Sequence, residues 1–436
     1  MVPERPGFKD NADRMSRMEE EALRIWKLYA LQPGMWEGWD HASTPVGFHD
    51  DGMAVLFGHP HPPGEFEERV AEGITYQTAM PKPVSFTANT SIMLSGIPTA
   101  TVMWHQRDEA AMVALVSHEA FHAYQISTGC PMGNIATAMK YPVNDAGVQA
   151  LAEVEAILLA TELAGEGNLE TVIAALDARA SRQALLTDEV AEFEDEVELG
   201  EGLATYIEIH SPGPSSGLWR SKVRMLERLN RDGWGADRLR FYYSGMAWGL
   251  LCDRYAAGWQ RSGWRPMAHI LAESIEHSPD PGRRSYPGLE FSRILSRHEL
   301  DAGKREERIR QTLSRAFPGV GLRVEIRTEG NPVGGEWNPN TAVTFPGEGR
   351  FHPDGLAYVY DTGTELRVEE DCLEVRNCRY MVFEGAGLEV TVNGVPPPEG
   401  ESRGSLEIVG DDCRVIMPMA VVRLNGRVLC AEELLK

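Results

Sequence analysis

The run His118-Glu119-Ala120-Phe121-His122 follows a strongly apolar flank at residues 110–116. The flank predicts a helix from Glu109 to Ile126, for which Asp108 is the expected N-cap. Because residues four apart lie on the same face of a helix, the imidazoles of His118 and His122 can reach one ion. Imidazole nitrogen suits zinc, which takes few protein ligands in catalytic sites and keeps one position for water. The run therefore predicts a zinc site on this helix.

Glu119 follows the first histidine directly, so its carboxylate can project toward water on the metal. Zinc lowers the pKa of that water, and the carboxylate can then accept its proton. The alternative is a pair of helix-surface histidines with an incidental glutamate. The chain has twelve histidines, and with that number a chance match to H-E-x-x-H is on the order of a few in a hundred. We therefore interpret Glu119 as a general base.

A catalytic zinc ion needs a third protein ligand. His105 is too close to the predicted helix start, and residues 123–130 contain no further histidine. A carboxylate on a later helix is therefore expected, and Glu201 fits best. Glu198, about one turn earlier, is the main rival. Most of the other acidic residues in 192–208 are expected to face solvent.

The runs 118–122 and Glu201-Gly202-Leu203-Ala204-Thr205-Tyr206 together resemble the gluzincin metallopeptidases. In that clan the glutamate of an E-G-x-A-x-Y run is often the third ligand, which implies Glu201 here. The resemblance also implies a zincin-like fold, one zinc ion per chain and peptide-bond hydrolysis. Gly202 and Ala204 would let their helix pack tightly against the zinc helix, and Ser244 and Gly245 would permit a later helix to approach it closely. Thr205 stands where thermolysins carry an aspartate that orients a histidine, so the groups that orient the two imidazoles are left unassigned.

The resemblance further implies a donor for the oxyanion, which gluzincins commonly take from a tyrosine or histidine on a later helix. Tyr243 is the first candidate and Tyr242 the second, in a run that opens an apolar helix, and His210 is a weaker one. The alternative for the tyrosines is core packing with satisfied hydroxyls. Gluzincins also pair the substrate backbone with an edge strand. The predicted strand Thr99–Met103 is in the right chain order for this, and a purely structural strand is the alternative.

The period of the apolar residues divides the chain into three portions. Residues 1–107 combine a helix with strand-like pieces and predict an α+β portion of the catalytic unit. Residues 108–317 are almost wholly helical in period and complete a zincin-like unit. Residues 318–436 hold short alternating runs between turns, which is typical of a small all-β domain, a sandwich or a barrel. The predicted class is α+β and mainly helical. The predicted N-terminal strands are at residues 44–48, 53–57, 91–94 and 99–103.

Composition limits the classes of partner. A chain of 436 residues is too long for one ordinary core and predicts two or three domains. The formal net charge of -23 repels phosphate backbones, so nucleic acid is not an expected partner. No stretch is long and apolar enough for a membrane span, and residues 1–10 lack the apolar core of a signal peptide. The six dispersed cysteines disfavour a cysteine zinc site and predict reduced thiols in the cytoplasm.

These patterns predict a zinc metallopeptidase that acts on a peptide or small-molecule substrate, with Glu119 and Tyr243 in the catalytic roles. One alternative keeps the site but hydrolyses a non-peptide amide or ester. A second is a catalytically inactive zincin-like protein whose β domain binds a partner. Glu119 speaks against the second, because a purely structural metal site needs no base. Endo- or exopeptidase action and the oligomeric state are left open.

Overall fold

The protein combines an N-terminal sheet, a series of helices and a C-terminal β-rich region. Helix accounts for 45% and strand for 27%, so the class is mixed α/β with helix predominating. The predicted boundary at residues 317–318 lies outside the described residues. The structure is a computed structural model that describes residues 8–50, 52–86, 88–104, 108–138, 140–165, 167–211, 218–232, 238–316, 322–329, 332–337, 343–345, 349–352, 355–369, 372–375, 380–385, 388–410 and 413–434.

Helix α1 (Phe8–Ala30) precedes the N-terminal sheet. The described strands of this sheet are β1 (Val46–His49), β2 (Ala54–Phe57), β3 (Glu67–Ala71), β4 (Ile74–Ala79), β5 (Thr90–Leu94) and β6 (Ile97–Met103). They lie in the order β3-β4-β2-β1-β6-β5. The positions of β1, β2, β5 and β6 confirm the predicted strands. The sequence does not predict β3, because its residues are charged and exposed instead of alternating between apolar and polar.

Strand β6 is interior, so the prediction that Thr99–Met103 forms an edge is wrong. It pairs in parallel with β1 on one side and antiparallel with β5 on the other. Ser95 and Gly96 both have positive φ, at 46° and 77°, which is the backbone geometry of a tight hairpin turn. This turn folds β5 back onto the outside of β6. The strand that ends the described sheet on this side is therefore β5.

The middle of the chain is helical, as predicted. Its described α-helices are α2 (Glu109–Thr128), α3 (Ile135–Ala138), α4 (Ala146–Ala164), α5 (Leu169–Gln183), α6 (Asp188–Val197), α7 (Leu203–His210), α8 (Leu218–Asp232), α9 (Leu239–Tyr255), α10 (Met267–Ser274) and α11 (Phe291–Ala316). A π-helical turn (Glu198–Gly202), called the π turn below, joins α6 to α7. Such turns often mark functional sites.

Helix α2 carries both histidines of the predicted metal site. It begins where expected, because the Asp108 carboxylate accepts a hydrogen bond from the Ala111 N–H at 2.8 Å. It ends at Gly129, whose φ of 72° gives the left-handed cap that glycine adopts without strain. Most of its residues are buried against β5, β6, α1 and α7. The two imidazoles are therefore displayed from a helix with little freedom to move.

The C-terminal region is β-rich, as predicted, and its core is a continuous group of buried apolar side chains. Ten of the twelve described strands follow the order β8-β11-β12-β17-β18-β7-β14-β13-β10-β9, while β15 pairs with β16, and β16 with β17. That these strands form a sandwich or a barrel stays a prediction. The described strands are β7 (Leu322–Arg327), β8 (Pro332–Trp337), β9 (Val343–Phe345), β10 (Gly349–His352), β11 (Leu356–Tyr360), β12 (Glu365–Val368), β13 (Cys372–Val375), β14 (Tyr380–Gly385), β15 (Glu389–Val392), β16 (Gly400–Gly410), β17 (Cys413–Asn425) and β18 (Val428–Glu433).

The described residues form two compact units. Among them, one unit draws on residues within 8–133, 152–232 and 238–289, and the other on residues within 134–151 and 290–434. The first contains the N-terminal sheet, α2, the π turn and α9, so it holds every residue of the candidate site. Within the described part of the chain, each helix is too short or too polar to cross a lipid bilayer.

Two glycines bring the π turn into contact with α9. A Cβ added to Gly202 would lie 2.6 Å from the Cα of Gly245, and one added to Gly245 would lie 2.7 Å from the carbonyl oxygen of Glu198. These neighbours are backbone atoms, which cannot rotate away. The two glycines therefore face each other. The prediction that Gly202 and Gly245 face the zinc helix is wrong.

We expect Gly245→Ala to destabilise the protein, because the new methyl group meets fixed backbone. The expected loss in the free energy of unfolding is about 1–3 kcal/mol. Gly303→Ala in α11 is the matched control, since a Cβ there meets nothing within 4 Å. That exposed helical position should gain about 0.5–1 kcal/mol from alanine. Urea-induced unfolding measures both changes, and a Gly245→Ala protein as stable as the wild type would contradict the close contact.

Candidate metal centre

Three side chains from two parts of the chain converge at one point. His118 and His122 lie one turn apart on α2, and Glu201 lies in the π turn. The two histidine Nε2 atoms are 3.2 Å apart, and the Nε2 of His122 is 3.2 Å from Glu201 Oε2. The Nε2 of His118 is 3.6 Å from the same oxygen. One donor atom of each residue lies within 4.8 Å of the others, so this buried group can hold a metal ion.

The separations between these donor atoms match those around a small tetrahedral cation. With metal–ligand distances of about 2.0–2.1 Å, tetrahedral geometry places ligand atoms about 3.3 Å apart. The three observed separations are 3.2, 3.2 and 3.6 Å. Both imidazoles direct the same nitrogen toward the shared point, which is the arrangement that two ligands of one ion require.

The charges around the ligands favour a bound cation. Burial lowers the pKa of His118, but the carboxylates of Glu201 and Glu208 outweigh it and raise the pKa to about 10. Burial also opposes ionisation of Glu201, yet His122, His118 and Arg238 hold its pKa well below the ordinary value. The site therefore combines an ionised carboxylate with imidazoles in a strongly negative potential.

Gln125 orients the imidazole of His122. Its Oε1 lies 2.7 Å from His122 Nδ1, and its Nε2 donates to the carbonyls of Leu199 and Gly200 at 2.8 and 2.9 Å. Because the amide nitrogen is engaged by two carbonyls of the π turn, the amide oxygen must face the imidazole. His122 Nδ1 then donates, and its Nε2 is left with a free lone pair for a metal. The spacing of three residues from His122, which places both side chains on one helix face, is the signal in the sequence for this role.

We expect Gln125→Met to weaken metal binding about 10- to 100-fold, as is usual when the group that orients a ligand is removed. Methionine keeps the length and burial of the side chain but cannot accept the proton of His122 Nδ1. Gln32→Met is the control, because the Gln32 amide donates to the backbone carbonyl of Leu28 at 2.9 Å and, among the described residues, to no metal ligand. Competition with a metallochromic chelator gives the dissociation constants. Equal affinity in Gln125→Met and Gln32→Met would exclude the orienting role.

Glu208 orients the other imidazole. Its Oε2 is 3.4 Å from His118 Nδ1, which is long for a hydrogen bond, so the contact is mainly electrostatic. Its Oε1 is 2.7 Å from Lys222 Nζ. Although burial opposes ionisation, His118 and Lys222 lower the pKa of Glu208 to about 2. Glu208 lies in α7, seven residues after Glu201, and places its negative charge beside His118.

Glu119 lies beside the ligands in a buried position on α2. Burial raises the pKa of Glu119, and the positive charges of His118 and His122 offset part of this rise. A carboxylate with a raised pKa is suited to accept and return a proton near neutral pH. The backbone carbonyl of Glu119 accepts a hydrogen bond from the Ser91 hydroxyl at 2.6 Å. This bond joins the middle of α2 to strand β5.

The three candidate oxyanion donors occupy different places. Tyr242 lies against the ligands, since its ring stacks beside the imidazole of His118 with 6.5 Å between the ring centres. Burial and the nearby negative charge of Glu201 hold the pKa of Tyr242 well above the ordinary value. Tyr243 is half-buried beneath Lys222, with the ammonium 5.7 Å from its ring centre. His210 Nδ1 is 2.7 Å from the Tyr206 carbonyl oxygen, and its Nε2 is 3.8 Å from Asp253. Tyr242 is therefore the candidate in contact with a metal ligand.

Glu198, the rival ligand, belongs to another group of charges. Its Oε1 accepts hydrogen bonds from Arg179 Nη1 at 3.0 Å and from Ser244 Oγ at 2.5 Å. The carboxylate of Glu198 thus faces Arg179 and Ser244, and Glu201 is the acid that reaches the imidazoles. We call the group the buried ion cluster, and its members are Arg179, Arg182, Arg240, Glu155, Glu194, Asp195 and Glu198.

His105, which the sequence disfavours as a ligand, lies outside the described residues. Protein-family models, curated proteins and solved structures were all compared with this chain, and none of them matches it.

Proposed function

We propose that this protein is a zinc-dependent hydrolase that cleaves peptide bonds, with one zinc ion per chain and a zincin-like catalytic unit. The observation that carries the proposal is the convergence of His118, His122 and Glu201 on one point with the carboxylate of Glu119 beside it. Two imidazole nitrogens and one carboxylate oxygen form a donor set that catalytic zinc ions commonly take. When bound there, zinc polarises the substrate carbonyl and makes water a stronger nucleophile.

Glu119 moves the proton in this proposal. It accepts a proton from the attacking water and then delivers it to the nitrogen that leaves when the amide bond breaks. Its burial supports this role, because a raised pKa lets the carboxyl group keep the proton at neutral pH until the more basic leaving nitrogen takes it. No other side chain need store the proton between the two events.

Tyr242 is the proposed donor to the carbonyl oxygen of the substrate. Its phenol stays protonated because its pKa is raised, so it can donate a hydrogen bond as negative charge develops on that oxygen. Its ring lies nearly parallel to the imidazole of His118, with an angle of 19° between the planes. Tyr243, the first candidate from the sequence, contacts Lys222 instead, so it is the less favoured donor to the substrate carbonyl oxygen.

Strand β5 supports a peptide as the substrate in preference to a small amide or ester. Among the described strands it ends the sheet, so its outer backbone groups can pair with an extended chain. The hydrogen bond from Ser91 to the Glu119 carbonyl holds this strand next to the metal ligands. A peptide added along β5 would therefore lie with its backbone beside Glu119.

Metal analysis combined with a substrate panel tests the proposal. We expect about one zinc ion per purified chain, and hydrolysis that a chelator abolishes and added zinc restores. The panel should pair unstructured peptides with ester and non-peptide amide substrates of similar size. Cleavage restricted to the non-peptide substrates would favour the first alternative, a hydrolase of another class. Stoichiometric zinc with no hydrolysis of any substrate would favour an inactive binding protein.

The cellular location is also part of the proposal. Within the described part of the chain, Cys130, Cys252, Cys413 and Cys430 are free thiols. Free thiols are usual in reducing compartments, which supports a cytoplasmic enzyme.

A further inference from the structure

The two oxygens of the Glu201 carboxylate have different partners. Oε2 faces the imidazoles, at 3.2 Å from His122 Nε2 and 3.6 Å from His118 Nε2. Oε1 accepts a hydrogen bond from Arg238 Nη2 at 2.6 Å. A bond of this length between a guanidinium and a carboxylate is charge-assisted and among the stronger ones in proteins. One oxygen of Glu201 is therefore available to a metal, and the other is engaged.

Arg238 is itself held in place. It directly precedes α9, and its guanidinium lies 5.6 Å from the ring centre of Tyr242, one turn further along. Its side chain is 29% exposed, so a substituted residue there can adjust toward solvent without opening the core. The residue that directly precedes α9 thus supplies the group that restrains the Glu201 carboxylate.

The number of ligating oxygens decides how many positions around the metal remain open. A carboxylate that binds through both oxygens brings a four-coordinate site to five ligands, and it occupies space that water or substrate would use. The carboxylate can reach that state only if it rotates and releases the arginine. Losing a charge-assisted hydrogen bond in a largely buried place opposes this rotation.

We propose that Arg238 is a positioning residue that restricts Glu201 to ligation through Oε2 and so keeps a coordination position of the metal open. The inference rests on the metal site of the proposed function but not on hydrolysis. It assigns a role to an arginine that none of the sequence motifs includes.

Cobalt(II) in place of zinc reports the coordination number through its visible absorption, which is strong in four-coordinate sites and weak in sites with more ligands. We expect the wild-type protein with cobalt to show the strong spectrum. We expect Arg238→Met to lose absorptivity several-fold, because Glu201 then binds through both oxygens. Arg238→Lys, which keeps a charged donor, should retain most of the intensity. The matched control is Arg261→Met, since Arg261 pairs with Glu37 at the same 2.6 Å distance but contacts no ligand.

The possible outcomes separate this inference from the proposed function. An unchanged spectrum in Arg238→Met, or a weak spectrum in the wild type, overturns the role of Arg238. A protein that binds no cobalt overturns it as well, together with the metal site. A strong wild-type spectrum that weakens in Arg238→Met, in a protein that hydrolyses nothing, supports this inference and refutes the proposed function. If Arg238→Met does not fold, Arg238→Gln replaces it, with the same loss of intensity expected.

Discussion

We expect Glu119→Gln to bind zinc as the wild type does and to hydrolyse peptides about 10²- to 10⁴-fold more slowly, which is the usual contribution of a general acid–base group. Glutamine has the same shape as glutamate but cannot accept a proton from water. The ligands His118, His122 and Glu201 are untouched, so the metal content should stay the same. Steady-state rates under zinc-saturating conditions, together with elemental analysis of each protein, measure the two quantities separately.

Glu109→Gln is the control for this experiment, since Glu109 lies on the same helix and its side chain is 47% exposed. That substitution should change neither zinc content nor rate. If Glu119→Gln keeps the wild-type rate, the hydrolysis belongs to some other site. If it loses zinc, Glu119 is needed to form the metal site. That outcome would contradict the assignment of Glu119 to proton transfer and of metal binding to the other three residues.

Arg182→Met is expected to cost about 3–5 kcal/mol in the free energy of unfolding, the usual result when one partner of a buried ion pair is removed. Arg182 is 2% exposed and donates to Glu155 Oε2 from Nη2 at 2.7 Å. It also forms an ion pair with Glu194, which is fully buried. Methionine fills much of the volume but leaves excess negative charge in the buried ion cluster. Urea-induced unfolding at neutral pH measures the loss.

Arg265→Met supplies the comparison on the surface. Arg265 pairs with Glu273 at 2.5 Å, but the two side chains are 47% and 64% exposed. Solvent screens such a pair, so its removal should cost only about 0–1 kcal/mol. Similar losses for Arg182→Met and Arg265→Met would mean that the buried ion cluster does little to stabilise the fold around the π turn.

The ligands of the candidate site can be predicted from the sequence, while their supporting groups mostly cannot. His118 and His122 are related by helix geometry alone, which the local sequence determines. The choice of Glu201 over Glu198 rests on a motif, and its physical reason is non-local, because Arg179 engages Glu198 from another helix. The roles of Glu208 and Arg238 likewise depend on which elements meet in three dimensions.

The same contrast between local and long-range interactions holds for the fold. The sequence predicts strands where short apolar runs flank a turn, as in β1 and β2, and it predicts the helical middle and the C-terminal β-rich region. It does not predict that β5 lies outside β6, because the order of strands in a sheet is set by long-range pairing. It also misses the charged strand β3, since an exposed strand carries no alternating pattern.

The two borders of the N-terminal sheet differ in chemistry. The border strand β3 reads Glu67-Glu68-Arg69-Val70-Ala71, and charges on a border strand discourage another chain from adding to it. The opposite border, Thr90-Ser91-Ile92-Met93-Leu94, carries no charge at all. Strand addition is thus disfavoured at the first border and permitted at the second. An extended segment that pairs through its backbone would therefore add to this sheet along β5. This is the strand whose Ser91 hydrogen-bonds the middle of α2.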